Sequence, residues 1–193
     1  MNFNGSIVTA QVTDHNDTEV FAQHDGVTLA IDRSELAELP EVGSDVEGFA
    51  YENKQGQARL TTKVPTVGRD HYAFAKVVEV RKDLGVFVNI GLPDKDIVVS
   101  EDQLPEISRL WPQKGDQLMV ALTVDKKDRM WGNLADESII HAVANRAKPE
   151  QMNADVTATA YRLKMAGTRV LTDDFYLGFI HPSERDAEPR LGQ

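Results

Sequence analysis

The side chains able to do chemistry are unevenly placed. Asp125, Lys126, Lys127 and Arg129 fall in one short polar turn, and Arg162, Lys164 and Arg169 cluster further along. Ammonium and guanidinium groups pair with phosphates, and an arginine can also stack on a base. No comparable grouping serves bond-making chemistry. There is no glycine-rich phosphate loop of the Walker type and no paired-histidine metal motif. His15, His24, His71 and His141 are isolated, and Asp173–Asp174 reads as a turn. His181 and Ser183 are close in HPSE, but closeness in sequence does not make a nucleophile–base pair without an orienting acid. The sequence implies no catalytic residue, no metal and no cofactor.

Charge constrains the partner. The 193 residues carry a net charge of -10, from 21 basic and 31 acidic side chains, which taken alone disfavours nucleic acid. The distribution is uneven, however. Residues 1–64 hold 4 basic and 11 acidic side chains, residues 65–140 hold 10 and 13, and residues 141–193 hold 7 and 7. A polyanion should prefer the later segments, and the acidic first third suits a basic protein partner. Cysteine is absent, which excludes disulfides and thiolate metal sites. No apolar run approaches the roughly 20 residues of a membrane helix. The opening MNFNGSIVTAQV lacks the basic and long apolar regions of a signal peptide. A soluble, cytoplasmic protein without a membrane partner is expected.

The elements that must position these groups are short strands. Residues 6–12, 18–23, 27–31, 45–51 and 57–62 are rich in β-branched residues and separated by polar turns. The pattern recurs at 74–81, 86–90, 96–99, 116–124 and 129–134, again with a long connection after the third strand. That is the strand order of the five-stranded Greek-key barrel called the OB-fold. Residues 136–147 differ: apolar positions 139, 140, 143, 144 and 147 have helical spacing, Asp136 is a candidate N-cap and Pro149 a stop. A third round begins at 154–161 and continues through 168–172 and 175–181. Leu191 and Gly192 then stand where Gly115 precedes the fourth strand of the second round. The expected architecture is all-β: tandem OB barrels over 1–64 and 68–135, a short linker helix within 136–150, and an incomplete third barrel over 151–193.

DLGVFVNIG (83–91), DIVVSEDQL (96–104), KGDQLMVALTVDKKDRM (114–130) and GFIHPSE (178–184) resemble the S-one RNA-binding domain. LPEISRLWPQKGDQLMVALTVD and HPSERDAEPRLGQ look like the bacterial conserved virulence factor B family, and the resemblance covers essentially the whole chain. It implies three tandem S-one domains followed by a winged helix, RNA binding, and influence on expression of virulence genes. It also implies that the end of the third domain and the winged helix lie outside this sequence, so that the third unit should be the least ordered part or should borrow strands from another molecule.

The same resemblance places Phe87 at the base-stacking position of the second strand, and Asp125 and Arg129 as the polar pair of the last turn, with Lys126 and Lys127 beside them. In the third unit Arg169 stands where Phe87 does, His181 matches the signature histidine, and Arg162 and Lys164 flank the first hairpin. Two departures stand out: Leu84 replaces a frequent aromatic, and Val99 stands where the signature histidine would be. From the residues alone, Val86-Phe87-Val88 leaves open whether Phe87 faces the core or the surface, and Arg185 and Arg190 fall in a loop with no evident anchor. The expected activity is non-catalytic binding of single-stranded RNA in gene-expression regulation. The competing readings are an acidic protein-interaction scaffold and a hydrolase, the latter requiring a metal site.

Overall fold

The computed structural model describes residues 1–146 and 148–193. β1 (Ser6–His15) shows why the chain is all-β. It buries Val8, Ala10 and Val12 while exposing Ile7, Thr9 and Gln11, the period-two pattern of a strand with one face on a core. β2 (Glu19–His24), β3 (Val27–Asp32), β4 (Asp45–Glu52) and β5 (Ala58–Thr61) follow. They close a barrel in the order β1-β2-β3-β5-β4, with β1 also pairing with β4. The parallel pairing of β3 with β5, at Ala30 and Arg59, completes the wall.

The second barrel repeats this arrangement with β6 (Ala73–Arg81), β7 (Gly85–Asn89), β8 (Ile97–Ser100), β9 (Gln117–Val124) and β10 (Met130–Leu134). Here β8 and β10 close in parallel at Val99 and Gly132. Gly85 has φ +136, and a Cβ there would lie 2.0 Å from the Val99 carbonyl, so the β6–β7 hairpin requires glycine. β11 (Ala158–Lys164), β12 (Gly167–Thr172) and β13 (Leu177–Ile180) form a third sheet of three strands only.

One hydrogen-bond device marks the three units as repeats. Each first strand carries a bulge, at Val12/Asp14, Val77/Glu79 and Ala160/Arg162. At the residue before it, the chain binds the turn that precedes the fourth strand. Gly43 donates to the Val12 carbonyl and Val12 to Ser44 (2.8 Å each), Gly115 to Val77 and Val77 to Asp116 (2.9 Å each). In the third unit Gly192 donates to Ala160 (2.8 Å) and Ala160 to Gln193 (2.9 Å). Gly192 thus occupies the place of Gly115, as its sequence position predicts.

The barrels are fastened to each other. Phe49 and Tyr51 of β4 belong to the core of the second barrel, and the Tyr51 hydroxyl donates to Asp94 at 2.6 Å. The loss of solvent, and after it the hydrogen bond to Asp94, push the phenol far above its usual range. The third sheet is joined to the second barrel by α1 (Glu137–Val143), whose Ile140 is buried with Met119 of β9 and Leu171 of β12.

Three expectations need correction. α1 ends at Val143 rather than running to 147, because Asn145 leaves it to bridge Tyr176, its amide donating to the Phe175 carbonyl and its side chain to Asp174. Ala147 lies outside the described residues. β11 begins at Ala158, four residues later than expected, and continues past its bulge to Lys164. The loop after β13 is anchored: Arg185 donates to the Thr168 hydroxyl, and Arg190 clasps Asp116 of the second barrel with two contacts of 3.1 Å.

Candidate nucleic-acid interface

The registers align the three units residue by residue. Phe87 faces Glu79 on β6 and Val98 on β8. Phe21 holds the same position in the first barrel, opposite Asp14 and Ala30, and Arg169 holds it in the third sheet, opposite Arg162 and Phe179. Val86 and Val88 are fully buried whereas Phe87 between them is half-buried, so Phe87 points out of the barrel. The ambiguity of three consecutive apolar residues is thereby settled in favour of the outer face.

At one end of this face lies the turn Asp125–Arg129. Asp125 is its hub. One carboxylate oxygen accepts the amides of Lys127 (2.8 Å) and Arg129 (3.0 Å). The other accepts Arg129 Nε at 2.8 Å and Trp131 Nε1 at 3.2 Å. The Arg129 amide leads the causes that hold this carboxyl far below the usual range, joined by the other donors and opposed by desolvation. With both oxygens engaged, Asp125 positions its neighbours rather than receiving a ligand. Lys126, Lys127 and Arg129 are exposed beside it.

The first barrel contains the same turn with Asn53 in place of Asp125, and its one cation, Lys54, is paired with Asp96 at 2.8 Å. Asn53 accepts the amides of Gln55 (3.0 Å) and Gln57 (2.9 Å), and its side-chain amide donates to Gln57 Oε1. Asn53 also donates to Asp94 across the barrel interface, so this turn serves packing. The first barrel therefore presents Phe21 beside a turn whose one cation is committed to Asp96, among Asp14, Glu19 and Asp32.

In the third sheet the cationic residues are differently placed. Arg162 is exposed and Lys164 half-buried. Arg169 is paired with Glu137 of α1, which relieves the like charge of Arg162 opposite it. α1 thus lies on the strand face that is open in the second barrel. Beside it is an open depression of about 450 Å³ lined by His141, Tyr161, Arg169, Leu177, Gly178 and Phe179, the last exposed.

His181 caps the single-turn helix Pro182–Glu184, its Nδ1 accepting the Ser183 amide at 3.2 Å. With Nδ1 an acceptor, the proton of the neutral ring sits on Nε2. Ser100 caps the turn after β8 in the same way, as Asp32 does after β3. The counterpart of His181 in the second barrel is therefore Ser100. Val99, expected at that place, is fully buried opposite Val86 and matches Ile180. The structure thus brings Phe87, Asp125, Lys126, Lys127 and Arg129 onto the second barrel, and Arg162, Lys164, Arg169 and His181 onto the third sheet.

Trp131 escaped the sequence analysis. It is half-buried on β10 between inward-facing Met130 and Gly132, hydrogen-bonded to Asp125, with the Arg129 guanidinium carbon 5.5 Å from its ring centroid. The signal available was a tryptophan two residues after the turn arginine.

Residues 4–63 match the family described as S1 domain, residues 72–133 the CvfB first S1-like domain, and residues 140–193 the second domain of virulence regulatory factor CvfB. The chain is 39% identical over 188 residues to the uncharacterized protein YitL of Bacillus subtilis, covering 97% of this chain and 63% of that protein. It is 36% identical over 169 residues to conserved virulence factor B of Staphylococcus epidermidis, covering 86% and 56%. The chain thus spans less than two thirds of the length of these curated relatives. A crystal structure of a multidomain protein with nucleic acid binding domains from Streptococcus pneumoniae superposes with a TM-score of 0.93 at 48% identity, covering all of this chain and 67% of that one.

Proposed function

The chain belongs to the conserved virulence factor B family, and on that premise we propose that it binds single-stranded RNA without transforming it, in the service of gene-expression regulation. One observation carries the reading. The second barrel holds an outward aromatic, Phe87, on the same surface as a preorganised cationic turn, Lys126–Arg129. Stacking is tolerant of base identity and phosphate contacts are blind to it, so the expected binding has modest sequence preference. A cytoplasmic setting accords with a chain that contains no cysteine. The third sheet supplies Arg162, Lys164 and His181 as secondary contacts.

A second reading rests on the first barrel, whose turn commits both Asn53 and Lys54 to the barrel interface. On that reading its acidic surface docks a basic protein.

The deciding experiment is fluorescence anisotropy with labelled oligo(U) RNA at several salt concentrations. Each phosphate neutralised contributes about -0.7 to the log–log salt slope on a single strand. Contacts from Lys126, Lys127 and Arg129 predict a slope of about -2. The RNA reading is refuted by absence of binding at low salt, and the scaffold reading then gains the field.

A further inference from the structure

Building on the RNA-binding reading, we propose that Trp131 is a second nucleobase-stacking residue, one that turns the Phe87 position into a two-base platform. The registers put the two rings on one stripe. Phe87 pairs with Val98 across β7 and β8, and Gly132 pairs with Val99 across β8 and β10. Side chains alternate along each strand, so with Val99 and Gly132 inward, Val98 and Trp131 face outward together with Phe87. Two strand spacings separate Phe87 from Trp131, about 10 Å of backbone with the half-buried Val98 between them.

The indole is held in place. Its Nε1–H donates to Asp125, and Arg129, itself bound to Asp125 through Nε and Nη2, lies against the ring. A base that stacks on a fixed ring loses less to ordering than one that must first settle a mobile side chain. The arrangement also gives Arg129 a place where a guanidinium can reach the phosphate next to the stacked base. The other units lack this platform. Arg59 occupies the Trp131 position in the first barrel, where it pairs with Glu19. Among the described residues the third sheet has three strands and no equivalent residue. The structure therefore locates two adjacent stacking surfaces in the second barrel.

The test uses the whole chain and oligo(U). By stacking alone, Trp131→Ala should weaken binding about 5- to 150-fold. Trp131→Phe, which keeps a ring and loses the bond to Asp125, should retain most of the affinity. The wild-type indole should be quenched on titration with RNA, and a Trp111→Phe background assigns that signal to Trp131. Trp111 packs on the second-barrel core with its Nε1 on the Pro105 carbonyl. Thermal melts verify that each variant folds. RNA binding by the wild type with unquenched Trp131, and equal affinity for Trp131→Ala, overturns the platform while leaving the RNA reading intact. No binding by the wild type removes both.

Discussion

The Glu137–Arg169 pair places an anionic side chain where the third sheet would meet a phosphate, so Glu137→Gln should improve RNA binding rather than impair it. The cost in stability is small. The two side chains are 35% and 30% exposed, and a pair of that kind contributes about 0–1 kcal/mol. The lost negative charge at the start of α1 adds a few tenths of a kcal/mol at most in so short a helix. The melting temperature should fall by no more than about 2–4 °C. The gain in binding follows from one freed guanidinium. A single added phosphate contact steepens the log–log salt slope by about 0.7 and, relative to 1 M salt, strengthens binding about fivefold at 0.1 M. Anisotropy titrations at 0.05, 0.1 and 0.2 M salt read both quantities, and the Glu137→Gln/Arg169→Ala variant supplies the control. An unchanged slope and affinity in Glu137→Gln would refute the reasoning, because Arg169 would then contribute nothing when released. So would a gain that persists in the double variant.

Phe87→Ala should reduce oligo(U) affinity about 5- to 150-fold while costing well under the ~3–5 kcal/mol of a fully buried phenylalanine, as a melt alongside the titration will show. Arg190→Ala should leave both barrels folded but speed hydrogen exchange at the Ala160 and Gln117 amides, which donate to Gln193 and Gly192. Gly85→Ala should unfold the second barrel or lower its stability by more than ~2 kcal/mol, whereas Gly26→Ala, where a Cβ meets open space, should cost about 1 kcal/mol in the same denaturant titration. Because the Asp125 carboxyl is held below its unfolded value of 3.8, the turn keeps its full contribution above about pH 4 and loses it as pH falls further; Trp131 fluorescence should stay constant from neutral pH down to that point and change only below it.

The parts of this molecule legible in its sequence are those written locally. Alternating β-branched runs, the glycines of tight turns and the Asp136 cap each depend on a few neighbours, so two five-stranded rounds and the place of Gly192 could be read directly. What escaped depends on distant pairing. α1 stops early because Asn145 finds Phe175 and Tyr176 some thirty residues on. The counterpart of the signature histidine was misplaced by one residue, a slip that only the strand registers resolve. Arg190 looked unanchored because its partner Asp116 is 74 positions away. Phe87 was noticed, but its face was undecidable between two valines. Trp131 went unnoticed because its outward direction follows from the parallel closure of β8 on β10.

The seam between the second barrel and the last residues has a consequence for the order of events during synthesis. Every strand of that barrel exists once residue 134 has been made. Yet the Gln117 amide donates to Gly192, and the Leu110 carbonyl accepts from Leu191, which is itself part of the barrel's core cluster. Those partners emerge ~60 residues later, a delay of roughly 3–12 s at ordinary rates of translation. For those seconds the barrel is closed but unsealed, with the seat of Leu191 open to water. A domain whose own strands are already complete is therefore still open to misassociation on the ribosome.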